Sequence, residues 1–280
     1  MKIDEIISNA LKEDLGVGDH TSLATIPSDA QGRAELLVKE DGVIAGIDVA
    51  REVFFQVDAG LKFVGLMDDG QAVRRGDVAF TVSGKSVSIL SGERLALNFL
   101  QRMSGIATAT RIMTDKLKGL NVKLLDTRKT TPNLRILEKY AVKAGGGYNH
   151  RFGLYDMIMI KDNHVDFAGG VSEALNATKS YLASENLDLK IEIEVRDFNE
   201  LNEVLDIGGV DRIMLDNFTV DGMRSAINLI KGRFETEASG GITLETIRQY
   251  AETGVDYISV GALTHQIKSL DMSLKAVHNL

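Results

Sequence analysis

From residue 122 onward, hydrophobic and polar positions alternate in a fixed order. Apolar runs at 122–126, 157–161, 191–195, 212–216, 234–238 and 257–260 are four or five residues long, the length of a buried strand. Between them, segments at 171–182, 198–205, 220–230 and 244–252 carry apolar residues at helical spacing. Strands alternating with helices imply parallel pairing and right-handed crossovers. Six such units predict a closed or nearly closed (β/α) barrel. The competing open doubly wound sheet normally announces itself with a glycine fingerprint after its first strand, and none is present.

The first of these units, 126–164, is the densest in punctuation and charge. The pattern predicts a helix with Thr131 as N-cap and Pro132 as first residue. Leu134, Leu137, Ala141 and Ala144 share one face, and Gly145 is the stop. The first 90 residues read as a small mixed α/β region. An amphipathic helix opens it, strands follow near 33–38, 43–45, 61–66, 78–82 and 87–89, and a helix spans 49–57. A long helix is predicted from Ser91 as N-cap to Gly119 as stop. Arg94, Asn98 and Arg102 recur every four residues along it. A solvated stripe explains Arg94 as well as a site does. Arg102 is followed by Ser104, Gly105 and Ala107, which permit close approach by a ligand or another subunit.

Composition narrows the chemistry. The chain has 280 residues, 44% of them hydrophobic, enough for a full core. Its net charge of -8 argues against a broad nucleic-acid or membrane surface, so an anion site has to be local. With no cysteine, disulfides, thiol catalysis and cysteine-ligated metals are excluded, and the cytoplasm fits. No stretch approaches the roughly 20 apolar residues of a membrane span, and the first residues lack a signal-peptide core.

Barrel sites are built at the C-terminal ends of strands. Here those ends present Asp126 to Lys129, Lys161, Glu194, Asp216, Ser239 to Gly241, and Gly261. A lone carboxylate at such a place is as often a helix cap, but six strand ends in succession divide into a cationic and a carboxylate half. An anionic sugar-like ligand needs both. The SGGI and VGAL turns on the last two strands suit a phosphate held on backbone N–H groups, although tight turns alone would also use glycine. Glu194 and Asp216 suit ribose hydroxyls or magnesium. Glu192 points the same way as Glu194 but lies deeper, as a structural partner for a buried cation. Arg128, Arg151 and Arg102 can clamp carboxylates, while Lys129 and Lys161 offer point charges. His150, His164 and His265 each admit a structural role. The Asp-rich LMDDGQ reads as a solvated turn.

With these residues in hand, the chain closely resembles the quinolinate phosphoribosyltransferase family. The blocks that carry the resemblance run through nearly the whole chain: EDLGVGDHTS, ERLALNFLQRMSGIAT, DTRKTTPNLRILEKYAVKAGGGYNHRFGLYDMIMIKDNH, EIEV, IMLDN, EASGGI and VDYISVGALTH. The resemblance implies an N-terminal open α/β sandwich over 1–108 and a C-terminal incomplete (β/α) barrel over 109–280, with the last helix returning towards the sandwich. It implies transfer of phosphoribosyl from phosphoribosyl pyrophosphate to quinolinate with decarboxylation, a step of de novo NAD biosynthesis. The products are nicotinate mononucleotide, pyrophosphate and carbon dioxide. Carried over residue by residue, Arg102, Arg128, His150, Arg151 and Lys161 surround quinolinate, and Lys129 approaches the pyrophosphate. Thr127, Ser239, Gly240, Gly241, Val260, Gly261, Ala262 and His265 complete the substrate contacts. Glu194 and Asp216 hold the ribose and the magnesium that arrives with the phosphorylated substrate, and with Lys129 and Lys161 they form the catalytic set. The resemblance further implies a homodimer in which Arg102 serves the neighbouring site, with no nucleic-acid or membrane partner. Competing readings are a molybdenum-transport-associated branch of the same fold, a Schiff-base aldolase using Lys161, and a non-catalytic phosphosugar sensor.

Overall fold

The computed structural model describes residues 2–277. In chain order its elements are α1 (Ile3–Leu15), α2 (His20–Thr25), β1 (Gln31–Val38), β2 (Gly42–Val43), α3 (Ile47–Val57), β3 (Lys62–Gly65), β4 (Ala72–Val73), β5 (Val78–Lys85) and α4 (Ser86–Lys116). The chain continues with β6 (Lys123–Leu125), α5 (Arg135–Ala144), β7 (Ile158–Ile160), α6 (Asp162–Ala168), α7 (Val171–Glu185), β8 (Ile191–Val195), α8 (Phe198–Ile207) and β9 (Arg212–Asp216). It closes with α9 (Val220–Ile230), β10 (Glu235–Ser239), α10 (Ile247–Ala251), β11 (Tyr257–Ser259), α11 (Ala262–His265) and β12 (Met272–Ala276). Two units result. The first takes the residues up to Arg111, Lys129–Gly147 and the segment from Ala262; the second takes Ile112–Arg128 and Tyr148–Gly261.

In the first unit an antiparallel sheet of order β12-β1-β5-β3 packs its apolar face on helices. Alternation along β1 buries Ala34, Leu36 and Val38. Phe54 of α3 meets Phe80 of β5 edge-on at 6.1 Å, and Phe63 of β3 lies 4.5 Å from Phe80. Such ring pairs each add about 0.5–1.5 kcal/mol beyond the area they bury. Asp69, in the turn expected to be solvated, accepts the amides of Gly46 and Ile47 and so caps α3.

Three local expectations need correction. Residues 87–89 form no strand: α4 begins at Ser86, directly after β5, and a short apolar run does not distinguish a buried helical turn from a strand. Thr131 and Pro132 do not start α5, because Asn133 takes a left-handed φ of 65° and the helix begins at Arg135. The small residues after Arg102 receive the unit's own chain. Ser104 bonds both backbone groups of Ala45, and a Cβ on Gly105 would run into the Lys268 carbonyl. After the last helix, α11, the chain adds a strand. Met272 and Leu274 are buried in β12, which pairs antiparallel with β1.

The second unit is a six-stranded parallel sheet of order β6-β11-β10-β9-β8-β7. Ile191, Ile193 and Val195 lie on one face of β8 and Glu192 and Glu194 on the other, as strand alternation requires. Register sets Glu192 beside Arg212, Glu194 beside Met214, Glu237 beside Met214 and Ser239 beside Asp216. The charged side chains therefore form layers along one face. Strands β6 and β7 are the ends of the sheet, and the chain from Tyr148 bridges to β6 through Tyr148 N–H on the Leu124 carbonyl. This is the incomplete barrel. Its helices are capped where the sequence supplies caps: Asp197 accepts the Asn199 and Glu200 amides, and Thr219 accepts that of Gly222.

Candidate functional site

In the second unit, strand ends place most of the expected residues. Lys161 follows β7 and donates to Glu194 of β8 at 2.9 Å; the lysine side chain is 44% exposed and the glutamate 8%. Asp216, the last residue of β9, accepts from Ser239 at the end of β10 and from Asn217, each at 2.5 Å. Gly240 and Gly241 follow with φ of 92° and 59°, and a Cβ on Gly240 would collide with Asn217. Val260 and Gly261 follow β11, and Val260 N–H donates to the Leu125 carbonyl of β6. Thr127 and Arg128 follow Asp126 at the end of β6.

Asp126 itself faces inward. Fully buried, it accepts the His150 amide at 2.8 Å and so ties the glycine-rich return to β6. His150 Nδ1 accepts the Arg151 amide at 2.7 Å, and the Arg151 guanidinium donates to the Met157 carbonyl. Burial, then the charge of Arg128, lowers the pKa of Arg151, against the pull of Glu192 and Asp156. Two guanidiniums held in one another's field are an arrangement that an anion relieves.

Deeper in the same unit lies a cluster that strand alternation only half disclosed. Glu192 is the buried group expected, and the cation beside it is Arg212, 3.8 Å away. Arg212 also meets Glu237 at 2.9 Å and Glu235 at 3.2 Å, with its guanidinium 3.8 Å from the centre of the Tyr257 ring. Burial raises the pKa of Glu192, and burial with the Glu192 charge raises that of Glu237 to about 7. For Arg212 burial opposes the charged form, but Glu192 and Glu237 outweigh it and its pKa rises. ETEAS does contain the signal, since Glu235 and Glu237 share the face of Ser239.

In the first unit, Arg102 of α4 donates to Glu138 of α5, to the Thr131 hydroxyl and to the Thr264 carbonyl. Glu138 also accepts the Thr131 amide, and sequence reasoning missed it because a helical glutamate normally faces water. Arg102 Nη1 makes none of these bonds. Arg94 is exposed, as a solvated stripe requires. Lys129 and His265 are exposed, and the Lys129 carbonyl accepts from Thr264 of α11, whose first residue is Ala262. His164 is a cap, accepting the Lys161 amide.

Three carboxylate or imidazole groups, His150, Glu192 and Glu237, bring ligand atoms within 4.8 Å of one another. Glu194 and Asp216 are hard oxygen donors nearer the strand ends, the type that magnesium shares with phosphate oxygens and water. A cavity of about 310 Å³ flanks β7, bounded by Arg151, Met157, Met159 and His164.

Comparison with known proteins follows the same blocks. Residues 106–275 match the model described as quinolinate phosphoribosyl transferase, C-terminal domain, and 19–104 match its N-terminal domain. A quinolinate phosphoribosyltransferase [decarboxylating] 1b from Nicotiana tabacum is 49% identical over 96% of this chain and 81% of its own. A probable nicotinate-nucleotide pyrophosphorylase [carboxylating] from Bacillus subtilis is 43% identical over 98% and 93%. The crystal structure of NadC from Streptococcus pyogenes superposes with a TM-score of 0.92 at 41% identity, covering 99% of this chain and 97% of that one.

Proposed function

The chain belongs to the quinolinate phosphoribosyltransferase family, and from that premise we propose how its residues share the work. It transfers phosphoribosyl from phosphoribosyl pyrophosphate to quinolinate with decarboxylation, as a nicotinate-nucleotide pyrophosphorylase of NAD biosynthesis. The observation that carries the residue assignment is the pair Arg128 and Arg151, whose like charges lie in one another's field. A dicarboxylate neutralises such a pair, and quinolinate is one.

Arg128, Arg151 and Lys161 bind the two carboxylates. The quinolinate nitrogen forms the bond to ribose C1′ as the bond to pyrophosphate breaks, with Lys129 on the leaving group. Charge builds at the ribose, where Glu194 and Asp216 stabilise it and orient the hydroxyls. The resulting pyridinium accepts the electron pair left when the 2-carboxylate departs as carbon dioxide, and a proton replaces it. Thr127, Ser239, Gly240 and Gly241 with Val260, Gly261, Ala262 and His265 take the phosphate end. Glu194 and Asp216 would hold magnesium arriving with the phosphorylated substrate, and the ion would supply positive charge for the pyrophosphate. The protein acts as a homodimer in which Arg102, braced by Glu138 of its own chain, serves the partner's site through Nη1. It works in the cytoplasm, a reading supported by the acidic, cysteine-free composition. Among the described residues no helix is long and apolar enough to cross a membrane.

The test is direct. Purified protein with magnesium and phosphoribosyl pyrophosphate is given quinolinate or nicotinate, and mononucleotide and carbon dioxide are followed. Turnover with quinolinate alone is expected; silence with both from folded protein would overturn the reading.

A further inference from the structure

Arg151 is carried by a stretch with no helix or strand, residues 149–157, between the Tyr148 bridge and β7. Apolar burial does not hold the turn in this stretch, since Leu154 and Tyr155 are 70% and 72% exposed. We propose that Asp156 is a positioning residue for Arg151: its carboxylate gathers the Phe152 and Gly153 amides and fixes the backbone from which the guanidinium reaches quinolinate. The role towards quinolinate rests on the phosphoribosyl-transfer reading; the clamp on the backbone does not.

A stretch outside sheet and helix has to satisfy its amides some other way. Here four consecutive amides, those of residues 150 to 153, turn to side chains. The His150 amide donates to Asp126 at 2.8 Å, and the Arg151 amide to His150 Nδ1 at 2.7 Å. The Phe152 and Gly153 amides donate to the two oxygens of Asp156, at 2.6 and 2.8 Å. Successive backbone N–H groups that converge on one point suit an anion, and the chain supplies its own. Arg151 is thus tied on one side to β6 through Asp126, and on the other to Asp156, just before β7.

The guanidinium closes the same turn a second time. Arg151 Nη1 donates to the carbonyl of Met157, the residue after Asp156, at 3.1 Å. Backbone and guanidinium are therefore held against neighbouring residues, and a shift of the turn moves both. Arg151 Nε is buried with no hydrogen-bond partner among the described residues. A buried donor left so is costly, and an anionic ligand within its reach offsets that cost.

The charges bear on the choice between two roles for Asp156. Burial opposes its ionised form, but the Phe152 and Gly153 amides outweigh it and its pKa falls; the carboxylate in turn favours the charged form of Arg151. By charge alone, a carboxylate so near a substrate-binding arginine would weaken the hold of that arginine on an anion. As a clamp it strengthens that hold. The two roles predict opposite signs on removal.

Hydrogen exchange read by mass spectrometry over residues 150–157, in wild type and Asp156→Ala without substrate, tests the clamp. Exchange at Phe152 and Gly153 is expected to be at least about tenfold faster in the variant, the equivalent of one charge-assisted hydrogen bond. Equal rates overturn the proposal. Steady-state kinetics tests the consequence for the site. Asp156→Ala should raise the quinolinate KM at least about tenfold, within the hundredfold that a misplacement on the order of 1 Å can cost, while the phosphoribosyl pyrophosphate KM stays within about twofold. Asp156→Asn keeps one acceptor oxygen and should fall between wild type and Ala; Asp156→Glu keeps the charge but not the placement and should resemble Ala. An unchanged or lower quinolinate KM in Ala, as charge alone predicts, overturns the proposal, and so does an equal rise in both KM values. Where Asp156→Ala lacks a cooperative thermal transition, Asn against Glu decides: positioning requires the smaller loss in Asn, and charge the smaller loss in Glu. Wild-type protein that turns over no quinolinate would fail the activity reading, and the exchange rates would still decide the clamp.

Discussion

Arg102 Nε and Nη2 both donate to a single oxygen of Glu138, at 2.8 and 2.6 Å, and Glu138 is 1% exposed while Arg102 keeps 31% of its side-chain surface. An ion pair with one buried and one half-open member holds the open member in place. Removing the carboxylate strands the guanidinium and frees the Thr131 amide that shares it. Glu138→Ala is expected to destabilise the protein by about 3 kcal/mol, the usual cost of breaking such a pair from one side. Glu138→Gln should lose less and still raise the quinolinate KM. Thermal unfolding with steady-state kinetics on both variants separates the two effects, and an unchanged transition in Glu138→Ala would refute the first.

Complementation addresses the subunit arrangement. Arg102→Ala and Lys161→Ala should each abolish quinolinate turnover; because each leaves a buried carboxylate without its partner, Glu138 or Glu194, each also costs up to about 3 kcal/mol, and a retained cooperative thermal transition separates loss of activity from unfolding. Mixed under conditions of subunit exchange, the two should regain activity if Arg102 acts on the partner's site. No recovery despite exchange shown by mass spectrometry would place the arginine in its own chain's site.

Stability should fall as pH rises through neutrality. Glu237 has a folded-state pKa of about 7 against an ordinary 4.5, so the folded protein holds a proton that the unfolded chain has released. This contribution is fully present below pH 4.5 and lost as pH passes 7, at a cost of about 3 kcal/mol. In Glu237→Gln that slope should vanish. Chemical denaturation at pH 5.5 and 8.5 measures it, and equal slopes in the two proteins would show that the proton lies elsewhere.

Gly240→Ala should weaken the phosphate end selectively. Its φ of 92° and the adjoining Asn217 leave no room for a side chain, so a loss of about 1–3 kcal/mol is expected together with a higher KM for phosphoribosyl pyrophosphate. The quinolinate KM is the internal control and should move less.

What the sequence disclosed was local. Six strand-like runs each became a strand; most are chiefly apolar, while in β8 and β10 glutamates recur at every second residue, a period of two that also marks a strand. Alternation placed Glu192 deeper than Glu194 and anticipated a buried cation, which is Arg212. What it withheld was partnership at a distance. The helical period of α5 shows an apolar face but not what covers that face, so nothing at Glu138 announced Arg102, 36 residues away. Ser104 and Gly105 looked like an opening for a ligand because small residues permit approach without naming what approaches; the Ala45 and Lys268 backbones fill the space. The left-handed Asn133 moved the start of α5 by one turn, a preference that asparagine tolerates but does not demand.

The pairing of β12 with β1 has a bearing on biosynthesis. Val38 leaves the ribosome early and its partner Met272 more than 230 residues later, so at about 5–20 residues per second the hydrogen-bonding edge of β1 waits for tens of seconds. In the second unit's sheet β7 to β11 each pair with a neighbour in sequence and can assemble as they emerge, and only β6 waits for β11. During translation the nascent chain thus presents an unpaired strand edge of the sort that chaperones cover. A stop codon before 272 would make that transient exposure permanent, and the truncated product would be expected to aggregate even with every strand-end residue of the second unit intact.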